Sequence, residues 1–501
     1  MSENGVQTAP LQFIVASMVF DTDACYRAIR ARDARFDGRF FTAVRTTRIY
    51  CRPVCPAPLP KRENVRFFGS AAAAEGAGFR PCLRCRPELA PGSASVDASA
   101  RLARAAASQI DDGALAEKSL ASIARALGVT DRHLRRVFEA EFGVTPVEYA
   151  QTARLLLAKR LLTDSAMSVI DVAMAAGFGS VRRMNTLFAQ RYRFSPSELR
   201  KKAPAHRSLD HHTFRLQTRQ PFDFDALLGF FAARAIDGVE SIEGRIYRRS
   251  LRVAMPDGRV VAGWFEIRRA PVRMRTQAGI EARIDARLAP AIARVLAACK
   301  HAFDLDCRPD EVAAVLGEIA QPHPGLRLPG AFDGFELSVR AILGQQVTVK
   351  AARTLAQRFV ARFGDVIETP FATVTRLFPS AAAIAALAPA AIAELGIVSQ
   401  RARAIVALAQ TVERGLRLAP GADIEQTLHS LRAIAGIGDW TAQYITMRAL
   451  HWPDAFPPGD VAILKAMRES KAVKALQRAQ AWRPWRSYAV MHLWKSLEKP
   501  L

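Results

Sequence analysis

Residues 431–450 read LRAIAGIGDWTAQYITMRAL, and residues 456–464 read FPPGDVAIL. Two helical stretches in the first segment meet at Gly436-Ile437-Gly438. Glycines there let the backbone turn tightly and aim N–H groups at a phosphate oxygen, aided by the positive end of the second helix. A glycine pair alone is a weak signal. A Pro458-Gly459-Asp460 triplet follows about twenty residues later, and the two together are a much stronger signal for the C-terminal part.

Outward from this element, the chain has 501 residues, enough for about three or four domains. Half of its residues are hydrophobic and 24% are charged, so cores can be buried and global disorder is excluded. The formal charge is +24, which predicts attraction to polyanions: nucleic acid first, anionic membrane second. No run approaches the roughly 18 apolar residues of a membrane span. The N-terminal LQFIVASMVF is short, no Lys or Arg precedes it, and DTDAC is a poor cleavage site, so no signal peptide is expected. Met18 offers an alternative start. Seven cysteines, four of them in two tight pairs, suit a metal site in a reducing cytoplasm better than a disulfide framework.

Two linkers, ELAPGSASVDAS (88–99) and KKAPAHRSLDHH (201–212), lack apolar periodicity. The expected organisation is an extension over 1–17, a cysteine-bearing module over 18–88, a linker over 89–100, a helical domain over 101–203 and a linker over 204–209. A strand-rich subdomain over 210–285 and a helical domain over 286–501 complete it. The alternation in RIYRRSLRVAMPDGRVVAGWFEIRR (245–269) predicts strands with a hairpin turn at Asp257-Gly258.

Three residues separate Cys51 from Cys55, and two separate Cys82 from Cys85. Each pair can close over one ion, and four thiolates make a tetrahedral zinc site. The pattern leaves open whether the site is a closed structural knot or a reactive one. The motifs VRTTRIYCRPVC (44–55), RENV (62–65) and GFRPCLRC (78–85) resemble the N-terminal domain of the Ada adaptive-response family. The resemblance implies that Cys51 is both zinc ligand and nucleophile, taking a methyl group from a methylphosphotriester in DNA, with Cys55, Cys82 and Cys85 as co-ligands. Methylation would remove negative charge from the site and so alter DNA affinity.

SLASIARALGVTDRHLRRVFEAEFGVTP (119–146) reads as helix, glycine turn, helix, with Leu120, Ile123, Ala124 and Leu127 as an apolar stripe, Gly128 at the turn and Thr130 or Asp131 as the next cap. SVIDVAMAAGFGSVRRMNTLFAQRYRFSP (168–196) repeats the pattern. Basic residues on such helices often mark only a solvated face. Two units joined by EYAQTARLLLAKRLL (148–162) resemble the AraC/XylS-type tandem helix-turn-helix domain. That resemblance implies recognition helices in the major groove, with Arg132, Arg135, Arg136, Arg182, Arg183 and Asn185 as candidate DNA contacts.

The glycine hairpin followed by Pro-Gly-Asp is the signature of the endonuclease III superfamily of glycosylases. With PFDFDALLGFFAARAIDGVE (221–240), HPGLRLPGAFDGFELSVRAILGQQVTV (323–349) and WRPWRSYAVMHLW (482–494), the region from about 210 onward resembles the AlkA family of 3-methyladenine DNA glycosylases. The resemblance implies a mixed α/β, TBP-like subdomain and an all-α helix-hairpin-helix domain. It also implies Asp460 as the catalytic carboxylate, Trp440, Tyr444 and Trp494 as walls for a flipped base, and Gly436, Gly438, Gln345 and Gln346 as DNA contacts. Trp440 stands where strand-cutting relatives carry a Schiff-base lysine, which predicts a monofunctional enzyme. Gln346 departs from the family's wedge leucine, and Asp439 brings a negative charge beside the expected phosphate. The Pro-Cys-His-Arg motif of a second Ada methyltransferase domain is absent, and Cys299 and Cys307 read as packed thiols.

The combined expectation is a multidomain, mainly α protein with α+β parts that binds one Zn²⁺. It joins phosphotriester methyl transfer, promoter binding and removal of alkylated bases in a bacterial cytoplasmic monomer. Its expected partners are double-stranded DNA and, for an activator, RNA polymerase, with no membrane. The alternative is a methylation-sensing transcription factor whose C-terminal part only binds damaged DNA.

Overall fold

The computed structural model describes residues 21–90, 98–111, 119–201, 210–255, 257–271 and 278–498. The 1–17 extension and the 204–209 linker lie outside the described residues, as does most of 89–100.

The cysteine module is a four-stranded sheet in the order β3-β1-β2-β4, with β1 Phe41–Val44, β2 Ile49–Cys51, β3 Val65–Phe68 and β4 Arg80–Pro81. Antiparallel pairing of β1 with β2 sets Thr42 opposite Cys51. Parallel pairing of β2 with β4 sets Tyr50 beside Pro81, and the Cys82 N–H donates to the Tyr50 carbonyl at 3.0 Å. This register carries the second cysteine pair to the first across some thirty residues of sequence. Phe41, Ala43, Tyr50, Ala74 and Phe79 form the small core.

Two helix-turn-helix units follow. Helices Leu120–Ala126 and Asp131–Phe142 flank Gly128, whose φ of 71° needs glycine, and Thr130 caps the second helix by accepting from the His133 N–H. Helices Val169–Ala175 and Val181–Tyr192 repeat the arrangement, capped by Ser168 and Ser180. Between the units runs the helix Pro146–Asp164, opened by a Thr145–Glu148 capping box.

The next sheet has the order β5-β9-β8-β7-β6, all antiparallel, with β5 His211–Gln217, β6 Glu240–Glu243, β7 Ile246–Ala254, β8 Val260–Arg269 and β9 Gly279–Asp285. The expected Asp257-Gly258 turn joins β7 to β8, with Gly258 at φ 81°. One apolar cluster runs from the connecting helix (Leu161) and the second helix-turn-helix unit (Met184, Phe188) into this sheet (Phe214, Phe265, Ile284). Each such buried side chain contributes about 1.5–3 kcal/mol, so the two elements stabilise each other. Cys299 and Cys307 lie fully inside, where burial pushes both thiols up to about 12.

The remainder is helical. Gly334–Leu343, Ser399–Glu413, Ile424–Arg432 and Asp439–Ala449 enclose one core, while Val461–Met467 and Arg486–Lys495 pack on a second. No helix among the described residues is long and apolar enough to cross a membrane.

Candidate metal centre and base-excision site

Strand register and the short loops around it bring the sulfurs of Cys51, Cys55, Cys82 and Cys85 within 4.8 Å of one another. Four thiols this close share protons. Bonding to Cys55 first of all holds the Cys51 thiol up, whereas bonding to Cys51 draws Cys82 down. A divalent cation lets all four be thiolates together, and an all-sulfur tetrahedral donor set fits a single Zn²⁺. Cys82 and Cys85 are buried; Cys51 and Cys55 are half-buried at the outer side. Arg52, next to Cys51 and itself buried, is fixed by Asp37; its backbone N–H donates to Cys85 Sγ at 3.4 Å and its Nη1 to the Cys85 carbonyl at 3.1 Å. These contacts orient one ligand and supply positive charge to the sulfur cluster.

On the first unit's second helix, Arg132 and Arg136 are exposed, while Arg135 forms an ion pair with Asp131 at 3.1 Å. Arg182, Arg183 and Asn185 are all exposed on the helix Val181–Tyr192. Leu134, Phe138, Met184 and Phe188 face inward and are fully buried, so the basic residues occupy the outer faces.

In the hairpin, Gly436 has φ 95°, and a Cβ there would stand 3.3 Å from the Ala404 Cβ. The positive φ favours glycine, and the close Ala404 contact adds to the cost of any side chain. Gly438 is the N-cap of Asp439–Ala449; no side chain caps this end and a Cβ would meet open space. Asp439 pairs with Arg432, so its charge is compensated rather than aimed at a phosphate. Gln345 donates through Nε2 to the Gly436 carbonyl at 2.8 Å and to Thr441 Oγ1 at 3.0 Å, tying its loop to the hairpin. Gln346 is exposed at φ 54°, and its neighbour Val347 lines a cavity.

The cavity holds about 560 Å³ and is lined by Trp440, Tyr444, Trp494 and Asp460 on one side. Trp440 and Tyr444 share one helix face at i and i+4, and their rings stack at 5.3 Å and 8°. Trp494, from the last helix, lies 6.2 Å from Tyr444. Asp460 is 9% exposed and held at three points: Trp440 Nε1 donates to Oδ2 at 2.7 Å, Trp494 Nε1 to Oδ1 at 3.2 Å, and the Ile463 N–H to Oδ1 at 2.8 Å. The last bond makes Asp460 the N-cap of Val461–Met467. A carboxylate fixed by two indoles at an aromatic cavity wall is poised to face a developing cation.

Two features escaped the sequence reading. Arg448 donates to the Tyr444 hydroxyl at 2.6 Å, and although burial opposes ionisation, Arg448 and Arg234 together hold that phenol below its usual range. Arg448 lies one turn beyond Tyr444, and that spacing was the available signal. Deeper in the cavity, Glu240 and Arg249 from the sheet interlock with Glu336 and Arg340 from Gly334–Leu343, with contacts of 2.6 Å from Arg249 to Glu336 and from Arg340 to both glutamates. Roughly a hundred residues of sequence separate the two pairs, so no local pattern announces this network.

Four family models match consecutive parts of the chain: the metal binding domain of Ada at 24–88, a helix-turn-helix domain at 123–202, the AlkA N-terminal domain at 213–333, and the HhH-GPD superfamily base excision DNA repair protein at 339–486. Fold and site thus define a DNA-binding repair protein in which a zinc module and a tandem helix-turn-helix domain are fused to a DNA glycosylase of the AlkA type. A probable bifunctional transcriptional activator/DNA repair enzyme AlkA from Mycobacterium tuberculosis is 37% identical, the match covering 96% of this chain and 97% of that one. The chain belongs to this family of bifunctional activator and repair proteins. DNA-3-methyladenine glycosylase 2 of Escherichia coli is 36% identical over 56% of this chain and 96% of its own length. The activator/repair enzyme AdaA of Bacillus subtilis is 34% identical over 36% of this chain and 82% of its own.

Proposed function

We propose that this protein repairs alkylated DNA at two sites and couples one repair event to transcription. In the first, the Cys51 thiolate attacks the methyl carbon of a methylphosphotriester. The S–C bond forms, the C–O bond breaks, and the phosphodiester leaves as an anion. Bound zinc supplies the charge that keeps the four sulfurs deprotonated near neutral pH. Half-exposure of Cys51 and the Arg52 contacts that hold Cys85 in place support this assignment. Methylated protein then binds promoter DNA through Arg132, Arg136, Arg182, Arg183 and Asn185, and recruits RNA polymerase; Arg135, tied to Asp131, makes at most a secondary contact.

In the second, an alkylated base flips between Trp440, Tyr444 and Trp494, and water replaces it at the sugar. As the N-glycosidic bond lengthens, positive charge builds on the deoxyribose, and Asp460 stabilises it. The observation that carries this reading is the double indole clamp on Asp460 in the cavity wall. Gly436, Gly438 and Gln345 grip the backbone while Gln346 fills the vacated stack. Among the described residues the lining includes no lysine, and Trp440 cannot form a Schiff base, so the product is an intact abasic strand. Module boundaries at 18–88, 101–203, 210–285 and 286–501, a monomeric state and a cytoplasmic location belong to the same reading. Methylated duplex DNA tests it: alkylated purines should appear in solution without strand cleavage, and borohydride should trap no covalent adduct. Absence of released base, or efficient β-elimination, contradicts it.

A further inference from the structure

The zinc module makes a buried contact with the glycosylase as well as with the helix-turn-helix domain. Arg219, two residues beyond β5, is 2% exposed. It donates through Nε and Nη2 to the backbone carbonyl of Asp37 at 3.1 and 2.7 Å, and through Nη1 to the Asp306 and Cys307 carbonyls at 3.0 and 3.4 Å. Asp37 is the residue whose carboxylate fixes Arg52 against the Cys85 ligand. On the flank of the same contact, Arg39 reaches Asp310 at 2.6 Å and Glu311 at 3.1 Å. Burying a guanidinium is costly unless its N–H groups are paired, and two of the Arg219 bonds end on the zinc module. The module itself spans some 65 residues with a very small core, a size at which metal binding supplies much of the folding free energy.

We propose that the zinc module is a docked partner of the glycosylase: folded around its metal, it seats the Arg219 side chain through Asp37 and thereby stabilises the base-excising half of the molecule. The inference rests on the zinc assignment. Stripping the metal unfolds the module and removes the Asp37 carbonyl, and with it two of the Arg219 hydrogen bonds across the contact.

All six tryptophans, Trp264, Trp440, Trp452, Trp482, Trp485 and Trp494, lie beyond residue 209, so tryptophan fluorescence reports on the glycosylase half alone. Thermal unfolding of the full chain is followed by this signal before and after zinc removal with a chelator, with metal content measured in both samples. The expected result is a fall in the tryptophan midpoint of roughly 5 °C or more on stripping. In Arg219→Met, which needs no such acceptor, the fall should shrink to less than half. Should Arg219→Met fail to fold, Arg39→Ala, which loosens the flank, should give a smaller fall than wild type. A midpoint unmoved by zinc loss in wild type overturns the inference while leaving the zinc site standing, and so does a fall of equal size in the variants. Purified protein that never held zinc overturns the zinc assignment and the inference with it.

Discussion

Asp460 combines two duties that a substitution can separate. Its Oδ1 caps the helix Val461–Met467, and its charge faces the aromatic cavity. Asparagine caps a helix as well as aspartate does, but brings no negative charge. Asp460→Asn should therefore keep the helix cap and still bind lesion DNA, while its amide nitrogen, set against the Trp440 Nε1–H, costs about 1–3 kcal/mol of stability. Base release should fall by about 10²-fold or more, measured by chromatography of free bases. Unimpaired release would remove Asp460 from the chemistry. A second single-residue test lies at Glu75, which is fully buried between the zinc module and the helix-turn-helix domain. Tyr50, Thr152 and Tyr192 hydroxyls surround its carboxyl at 2.9, 3.3 and 3.3 Å. Burial, only partly offset by these bonds and by Arg191, raises it to about 7. Between the unfolded value near 4.5 and this folded value, the native state holds a proton that the unfolded chain has lost. The associated stability is complete below the lower value and disappears as pH rises through the upper one. Glu75→Gln should accordingly gain on the order of 2 kcal/mol relative to wild type at pH 8, and little at pH 5, in denaturant titrations. A gain independent of pH would contradict the assignment.

At the scale of elements, the hairpin was legible because its constraints are local. Gly436 needs a positive φ, and the Gly438 end of the next helix carries no side-chain cap. Both follow from residues adjacent in sequence. Gly436→Ala should cost about 1–2 kcal/mol of stability and weaken binding to lesion-containing and undamaged duplex alike, since it distorts the phosphate site and not the base cavity. A selective loss for lesion DNA, measured by titration, would argue against that division. The helix-turn-helix units were equally readable, with Gly128 at the turn and Thr130 at the cap in the expected roles. Individual contacts were less so. Arg135 has the same type and spacing as its neighbours, yet an acidic residue one turn earlier, Asp131, pairs with it at the surface.

Across the whole molecule, the sequence pattern separates four modules, whereas the structure joins them. Cysteine spacing and the glycine hairpin identify chemistry because their ligands lie close along the chain or match a family motif. The joints do not: Arg219 meets Asp37 across 182 residues, Lys159 pairs with Glu88 inside an interface at 2.6 Å, and one apolar cluster crosses from the second helix-turn-helix unit into the glycosylase sheet. Long-range polar pairs of this kind have no periodicity to betray them. One reaction tests the central claim, that a single chain accepts methyl groups and excises bases. The full-length protein is incubated with methylated duplex DNA, its intact mass and peptide map are recorded, and the released bases are separated by chromatography. One methyl group should be added, on the peptide containing Cys51, and free alkylated purines should appear beside it. An unchanged protein mass, a methyl group on a peptide without Cys51, or a supernatant free of bases would contradict it.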